Sequence, residues 1–235
     1  MLSLMTMAMG AGPAEPCGPC DDELVLHAVP ERAATPRSYL MCPPFHFTVS
    51  YAINPWMRPD QPADARRAVR QWERLRQIYT DLGHTVHLIE PLPGLPDMVF
   101  AANGATVVDG SVLGARFRHP ERAAEASAYL DWFRGHGYAS VRAPRLVNEG
   151  EGDILCTGPR LLAGLFSELI EATDADAAVL GLNAVSDGRH VVLPEQATDL
   201  TARLAEHGFE PIGVDLSELR KAGGGPKCCT LELRG

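Results

Sequence analysis

A structural unit recurs along this chain of 235 residues and limits the folds that it can adopt. In each copy a helix ends at a glycine, and an apolar strand follows. The predicted helices cover residues 64–82, 120–136 and 198–207, and they stop at Gly83, Gly137 and Gly208. Glycine just past a helix is a common stop signal, and proline at a first turn, as at position 120, is a common start signal. Such units bury their apolar faces by packing side by side.

Three hairpins complete the repeat, and their spacing is uneven. They are predicted at residues 105–114, 153–162 and 183–192, and two of them turn at Asp-Gly, the strongest short-range hairpin signal. Residues 117–152 leave room for a helix and a strand between the first two hairpins, but residues 165–182 leave about half of that. We therefore expect an α/β fold of repeated units from which one unit is missing.

Composition excludes several classes of function. The net charge is −9 and no basic cluster occurs, which argues against nucleic acid and against an anionic membrane surface. No apolar run reaches the length of a transmembrane helix. Six cysteines in a chain of this length do not make a disulfide framework, so a reducing cytoplasm fits best. We expect a loose N-terminal tail over residues 1–22 and a single domain over residues 23–235.

A pair of cysteines in the tail has the spacing of a redox motif. Cys17 and Cys20 enclose Gly-Pro, as in thioredoxin-like proteins, where a strand precedes the motif and a helix follows it. Residues 10–16 are rich in glycine, alanine and proline and do not form a buried strand, so the context argues against dithiol chemistry. Apart from this pair no cluster has zinc-like spacing, and we expect neither a metal nor a cofactor.

The C-terminal segment places a cysteine after a run of three glycines. Glycine allows a second chain or a ligand to approach the backbone closely at residues 223–225. Cys228 follows Lys227, and a neighbouring cation favours the nucleophilic thiolate form of a cysteine. The alternative is a buried strand cysteine, since free cysteine is among the most buried residue types.

Four ordered blocks of the chain resemble the amidinotransferase/guanidine-hydrolase superfamily, and in particular the bacterial dimethylarginine dimethylaminohydrolases and arginine dihydrolases. The blocks are residues 41–44 with 54–57, residues 96–104, residues 148–153, and the glycine-rich loop with Cys228. The resemblance implies a pentein fold, a five-bladed α/β propeller of pseudo-symmetric ββαβ units with its site on the central axis. This fold agrees with the repeat, apart from the unit that is missing.

The resemblance also implies a covalent reaction on the guanidino group of arginine or an N-methylated arginine, with citrulline as product. A cysteine thiolate attacks the guanidinium carbon, an amine leaves, a histidine serves as acid and then base, and water releases the product. A guanidinium presents a planar fork of N–H donors that matches carboxylates. Its positive charge also favours a neighbouring thiolate.

Carried over by position, the resemblance makes Cys228 the nucleophile and Glu149 a second catalytic residue. The implied substrate-binding residues are Asn54, Asp97, Asn103, Arg116, Arg118 and Asp153. Glu151 is the alternative to Glu149, because the family often has a shorter loop. Some relatives carry an acid at the position of Asn103, which leaves the exact substrate open. The structural alternative is that Asp97 and Asn103 only shape turns.

The catalytic histidine of the family lies in a segment between the second and third hairpins, and that segment is absent here. None of the eight histidines occupies the matching position. Loss of a general acid–base group lowers a rate by about 10²–10⁴. Two interpretations therefore stay open: an impaired guanidine hydrolase, or a non-catalytic guanidine-binding relative or truncated gene product. A homodimer is compatible with both.

Overall fold

The computed structural model describes residues 31–154 and 170–235, which form a mixed α/β structure. The strands are β1 (Ser38–Met41), β2 (Thr85–Leu88), β3 (Ala105–Val108), β4 (Ser111–Gly114), β5 (Ser140–Arg142), β6 (Val185–Ser186), β7 (His190–Pro194), β8 (Glu210–Val214) and β9 (Leu231–Glu232). The helices are α1 (Ala65–Asp81), α2 (Glu125–Gly135), α3 (Asp174–Ala178), α4 (Thr198–Glu206) and α5 (Ser217–Arg220).

The strands form three sheets of three strands with one shared topology, in the orders β2-β1-β9, β3-β4-β5 and β6-β7-β8. In each sheet the middle strand has an antiparallel neighbour on one side and a parallel neighbour on the other. A helix precedes each parallel outer strand, as the repeat predicts. In the first sheet the antiparallel partner is β9, so the C-terminal segment pairs with the N-terminal strand.

Two of the predicted hairpins are confirmed and the third cannot be compared. The β3–β4 and β6–β7 pairs are antiparallel hairpins. At the first turn Asp109 and Gly110 have φ values of 47° and 67°, which is the geometry that an Asp-Gly turn favours. The second hairpin lies almost wholly within residues 155–169, which are outside the described residues. The predicted tail and both tail cysteines also lie outside the described residues.

Helix positions follow the sequence signals closely. The Asp64 carboxylate caps α1 by accepting from the Arg67 N–H, and the buried face of the helix includes Trp72 and Leu75. Gly83 ends the helix with a φ of 82°.

The helix predicted over residues 120–136 is shorter than expected. Pro120–Arg122 form a 3₁₀ turn, and the α-helix begins only at Glu125. The cause is local, since the N–H groups of Arg122 and Ala123 bond three residues back, to the carbonyls of His119 and Pro120.

The C-terminal segment joins the two largest hydrophobic clusters. Cys229 is fully buried against the α1 side of the core, and Leu231 is fully buried against β3 and α2. Burial on both sides fixes the turn that carries Cys228. None of the helices within the described ranges has the length and apolar character needed to cross a membrane.

Candidate active site

A cavity of about 490 Å³ lies where the loops between the sheets meet the C-terminal segment. All of the predicted site residues except Arg116 line it, namely Asn54, Asp97, Asn103, Arg118, Glu149, Asp153 and Cys228. Sequence blocks that are separated by more than a hundred residues thus converge on one space. Their roles in binding or catalysis remain predictions.

Cys228 occupies the turn before β9 and is partly exposed to the cavity. Its carbonyl accepts from the Ala102 N–H at 3.0 Å. The preceding glycines allow the turn to pass close to Phe100, because a Cβ atom on Gly224 would overlap the ring of that residue. The side-chain amide of Asn183 donates to the Cys228 sulfur, with Nδ2 and Sγ 2.9 Å apart.

The ammonium group of Lys227 does not pair with the neighbouring sulfur in this structure. It donates to the Glu151 carboxylate and to the carbonyl of Thr230. The same carboxylate pairs with Arg234, and the Glu151 side chain is 2% exposed. Glu151 therefore binds the C-terminal segment, whereas Glu149 lines the cavity. The catalytic role of Glu149 rather than Glu151 stays a prediction.

Asp97 presents an unsatisfied acceptor. The side chain is 1% exposed, and its Oδ2 accepts from the Tyr51 hydroxyl at 2.9 Å. Its Oδ1 is buried and has no hydrogen-bond partner among the described residues. Burial raises the pKa of Asp97 above its usual range, against the lowering effect of the nearby Arg122. A buried carboxylate oxygen without a partner at a cavity wall is suited to a ligand that brings N–H donors and positive charge.

Arg122 also lines the cavity, although the sequence did not indicate it. Its guanidinium is 6% exposed and donates to Glu125 at 2.8 and 3.1 Å. It also donates to Asn103 Oδ1 at 3.1 Å and to the carbonyl of Asp97 at 3.3 Å. The amide of Asn103 in turn donates to the carbonyl of Glu149 at 3.3 Å. One buried cation thus orients three segments of the cavity wall.

The loop of Glu149 is fixed by its own sequence. The Asp153 carboxylate accepts from the Glu149 N–H at 2.9 Å, which closes the loop. Gly150 has a φ of 57°, and a Cβ there would come within 2.6 Å of the carbonyl oxygens of Ala102 and Ala105. The loop therefore requires glycine at this position, both for its conformation and for its close packing.

The remaining predicted residues have different surroundings. Asn54 accepts from the N–H groups of Trp56 and Met57 and donates to the carbonyl of Ala222, so its amide ties its own loop to the glycine run. Arg118 is exposed and lines the cavity. Arg116 does not line it, because its guanidinium donates to the carbonyl of Arg145 at 2.6 Å.

One histidine of the described residues lines this cavity. It is His119, which is half-buried and precedes the 3₁₀ turn at Pro120. His119 therefore shares a cavity wall with Cys228. Sequence reasoning did not single it out, because a His-Pro pair before a helix is an ordinary helix start.

Similar sequences and similar solved structures point to the same group of proteins. No family model matches the chain. The dimethylarginine dimethylaminohydrolase of Mycobacterium tuberculosis is 42% identical over an alignment of 265 positions including gaps, which covers 86% of this chain and 87% of that protein. The bifunctional arginine dihydrolase/ornithine cyclodeaminase AgrE of a Nostoc species is 30% identical, over 83% of this chain and 37% of that protein.

Solved structures give the same fold. The N-terminal domain of ArgZ, a cyanobacterial arginine dihydrolase crystallised with its product, superposes with a TM-score of 0.74 at 27% identity, over 85% of this chain and 98% of that one. A dimethylarginine dimethylaminohydrolase structure matches with a TM-score of 0.64 at 14% identity, which supports the fold alone. The chain belongs to the amidinotransferase/guanidine-hydrolase (pentein) superfamily, in the group of dimethylarginine dimethylaminohydrolases and arginine dihydrolases.

Proposed function

We propose that this protein hydrolyses the guanidino group of arginine or an N-methylated arginine, with Cys228 as the nucleophile. The observation that carries the proposal is the buried carboxyl group of Asp97, which lines the same cavity as a partly exposed cysteine and has one oxygen without a hydrogen-bond partner among the described residues. A guanidinium satisfies that acceptor with an N–H donor and compensates its charge. The printed names of the relatives, dimethylarginine dimethylaminohydrolase and arginine dihydrolase, support the same substrate class.

The reaction proceeds in two halves. Cys228 Sγ forms a bond to the guanidinium carbon, and the bond from that carbon to one nitrogen breaks, so that ammonia or a methylated amine leaves after gaining a proton. Water then attacks the S-alkylthiouronium carbon, the carbon–sulfur bond breaks, and citrulline leaves. Covalent catalysis of this kind divides one difficult displacement into two easier steps.

Proton transfer is the step at which this chain departs from its family. The alignment with the M. tuberculosis relative extends over 265 positions including gaps, more than the 235 residues of the chain, which supports a missing internal segment. His119 is then the side chain of the described cavity wall suited to protonate the leaving amine. A displaced acid still functions if it reaches the amine directly or through one water molecule. We expect turnover to be slower than in relatives that retain the segment.

The second candidate is a non-catalytic protein that binds guanidino compounds. The absence of the family histidine segment favours it, because the unpaired carboxylate oxygen of Asp97 recognises a cation whether or not chemistry follows. Both candidate functions involve the same ligand. They differ in whether a carbon–nitrogen bond of its guanidino group is broken.

A citrulline assay separates them. Purified protein is incubated with dimethylarginine, monomethylarginine and arginine, beside a Cys228→Ser variant. We expect citrulline from the wild type with at least one substrate and none from the variant. Binding of these compounds by calorimetry without citrulline would establish the non-catalytic candidate instead. Equal citrulline from both proteins would exclude Cys228 as the nucleophile.

A further inference from the structure

Asn183 makes paired hydrogen bonds to Cys228 from outside the set of residues that line the cavity. Its Nδ2 lies 2.9 Å from Cys228 Sγ, and its Oδ1 accepts from the Cys228 N–H at 3.1 Å. Its carbonyl also accepts from the Lys227 N–H at 3.3 Å. Gly225 also packs closely against the Asn183 side chain, because a Cβ atom on Gly225 would come within 2.8 Å of the Asn183 amide oxygen.

These contacts determine the orientation of the amide. The backbone N–H of Cys228 is only a donor, so the atom of Asn183 that faces it must be the oxygen. The amide nitrogen then faces the sulfur. Since an amide NH₂ group is only a donor, the sulfur must accept, and a thiolate is a stronger acceptor than a thiol.

We propose that Asn183 is the positioning residue of the nucleophile, holding Cys228 Sγ toward the cavity and stabilising its thiolate through the side-chain amide. This inference rests on the proposed function only in that it takes Cys228 as the nucleophile. Asn183 is not among the residues that line the cavity. It acts through the sulfur, and it lies 45 positions before it in the sequence.

Several charged groups line the same cavity as Cys228, and they have to be held constant. The titratable side chains that line the same cavity are Asp97, Arg118, His119, Arg122, Glu149 and Asp153. Lys227 is adjacent in sequence but is paired with Glu151. Replacement of Asn183 by an uncharged side chain leaves all of these in place and adds no charge, so Asn183→Ala isolates the contribution of the amide, whereas Asn183→Asp also adds a negative charge beside the sulfur.

The test is the pH dependence of Cys228 alkylation by iodoacetamide, in which the sulfur displaces iodide. Tryptic peptides are analysed by mass spectrometry, and fragment ions distinguish Cys228 from Cys229, which is fully buried. Asn183→Asp preserves the shape but turns a carboxylate oxygen toward the sulfur. We expect its alkylation rate at pH 7 to fall about tenfold and the rate profile to move to higher pH, because a hydrogen bond to a charged group is lost. Asn183→Ala is expected to shift the profile in the same direction.

The matched control is Gln61→Glu, the same amide-to-carboxylate change at an exposed position. A rate profile for Asn183→Asp that coincides with that of Gln61→Glu would overturn the proposal. If the Asn183→Ala protein does not fold, Asn183→Leu decides, since leucine has nearly the shape of asparagine and removes the amide donor without adding a charge, and its rate profile is expected to move to higher pH than that of wild type. A profile for the uncharged variant that coincides with the wild-type profile would refute stabilisation of the thiolate by the amide. Neither measurement requires turnover, so failure of the citrulline assay counts against the proposed function and not against this inference.

Discussion

Replacing Arg122 by methionine tests whether the buried ion network holds the cavity wall together. Methionine keeps most of the length and removes the charge, which leaves Glu125, fully buried, and Asp97 without their cation. Removing one partner of a buried ion pair typically destabilises by about 3–5 kcal/mol. For a domain of this size each kcal/mol shifts the melting temperature by about 2–4 °C, so we expect a decrease of roughly 6–20 °C.

The loss of stability in Arg122→Met should also depend on pH, and its direction follows from the pKa of Glu125. Burial raises the pKa of Glu125 from 4.5 to about 7, while the bonds from Arg122 lower it. A carboxyl group whose pKa is raised by folding contributes stability that is complete below its unfolded pKa and is lost as the pH rises through its folded pKa. Without Arg122 the folded pKa rises further. We therefore expect Arg122→Met to be closer to wild type in unfolding free energy at pH 5 than at pH 7.5.

The matched control is Arg134→Met, which removes an exposed pair with Asp131. Its side chains are 53% and 71% exposed, so we expect a loss below about 1 kcal/mol. Urea unfolding followed by circular dichroism measures both variants at both pH values. A loss for Arg122→Met no larger than for Arg134→Met would refute the view that this network is buried and structural.

Four further substitutions test the site. His119→Gln should lower kcat for citrulline formation about 10²–10⁴-fold with little change in KM, and an unchanged kcat would exclude it as the acid. Glu149→Gln should lower turnover and leave the unfolding free energy within about 0.5 kcal/mol of wild type. Glu151→Gln should destabilise by about 1–3 kcal/mol, because Lys227 and Arg234 lose this carboxylate but stay partly accessible to water. The opposite pattern would reverse the assignment of the two carboxylates. Gly224→Ala should destabilise by about 1–3 kcal/mol in urea unfolding through overlap with an aromatic ring, unlike Gly135→Ala, where space is open.

Local signals predicted much of the fold. Glycines after the helices and the Asp-Gly turns depend on backbone conformation alone, so α1, α4 and two hairpins could be located from sequence. The pairing of β9 with β1 is not local, because it joins residues about 190 positions apart, and no turn signal encodes it. The start of α2 was displaced by a local cause that the sequence did not show, since the N–H groups of Arg122 and Ala123 bond three residues back in a 3₁₀ turn.

Residues of the cavity wall that belong to sequence motifs were predicted. Those whose position depends on burial alone were missed. Arg122 resembles a solvated helix-start residue in the sequence, and only packing shows that it is buried beside Glu125. Asn183 was expected merely to begin a hairpin. Lys227 was expected to act on Cys228, but in the structure it pairs with a buried carboxylate, which is a stronger partner than a sulfur.

The covalent intermediate offers the most direct test of the central claim. The protein is mixed with dimethylarginine or arginine, quenched in acid within seconds, and its intact mass is measured beside that of Cys228→Ser. We predict an added mass equal to the substrate less the leaving amine, located on Cys228 and absent from the variant. A folded wild-type protein that binds these substrates, yet carries no such mass at any quench time and forms no citrulline, would contradict the claim that Cys228 attacks the guanidinium carbon.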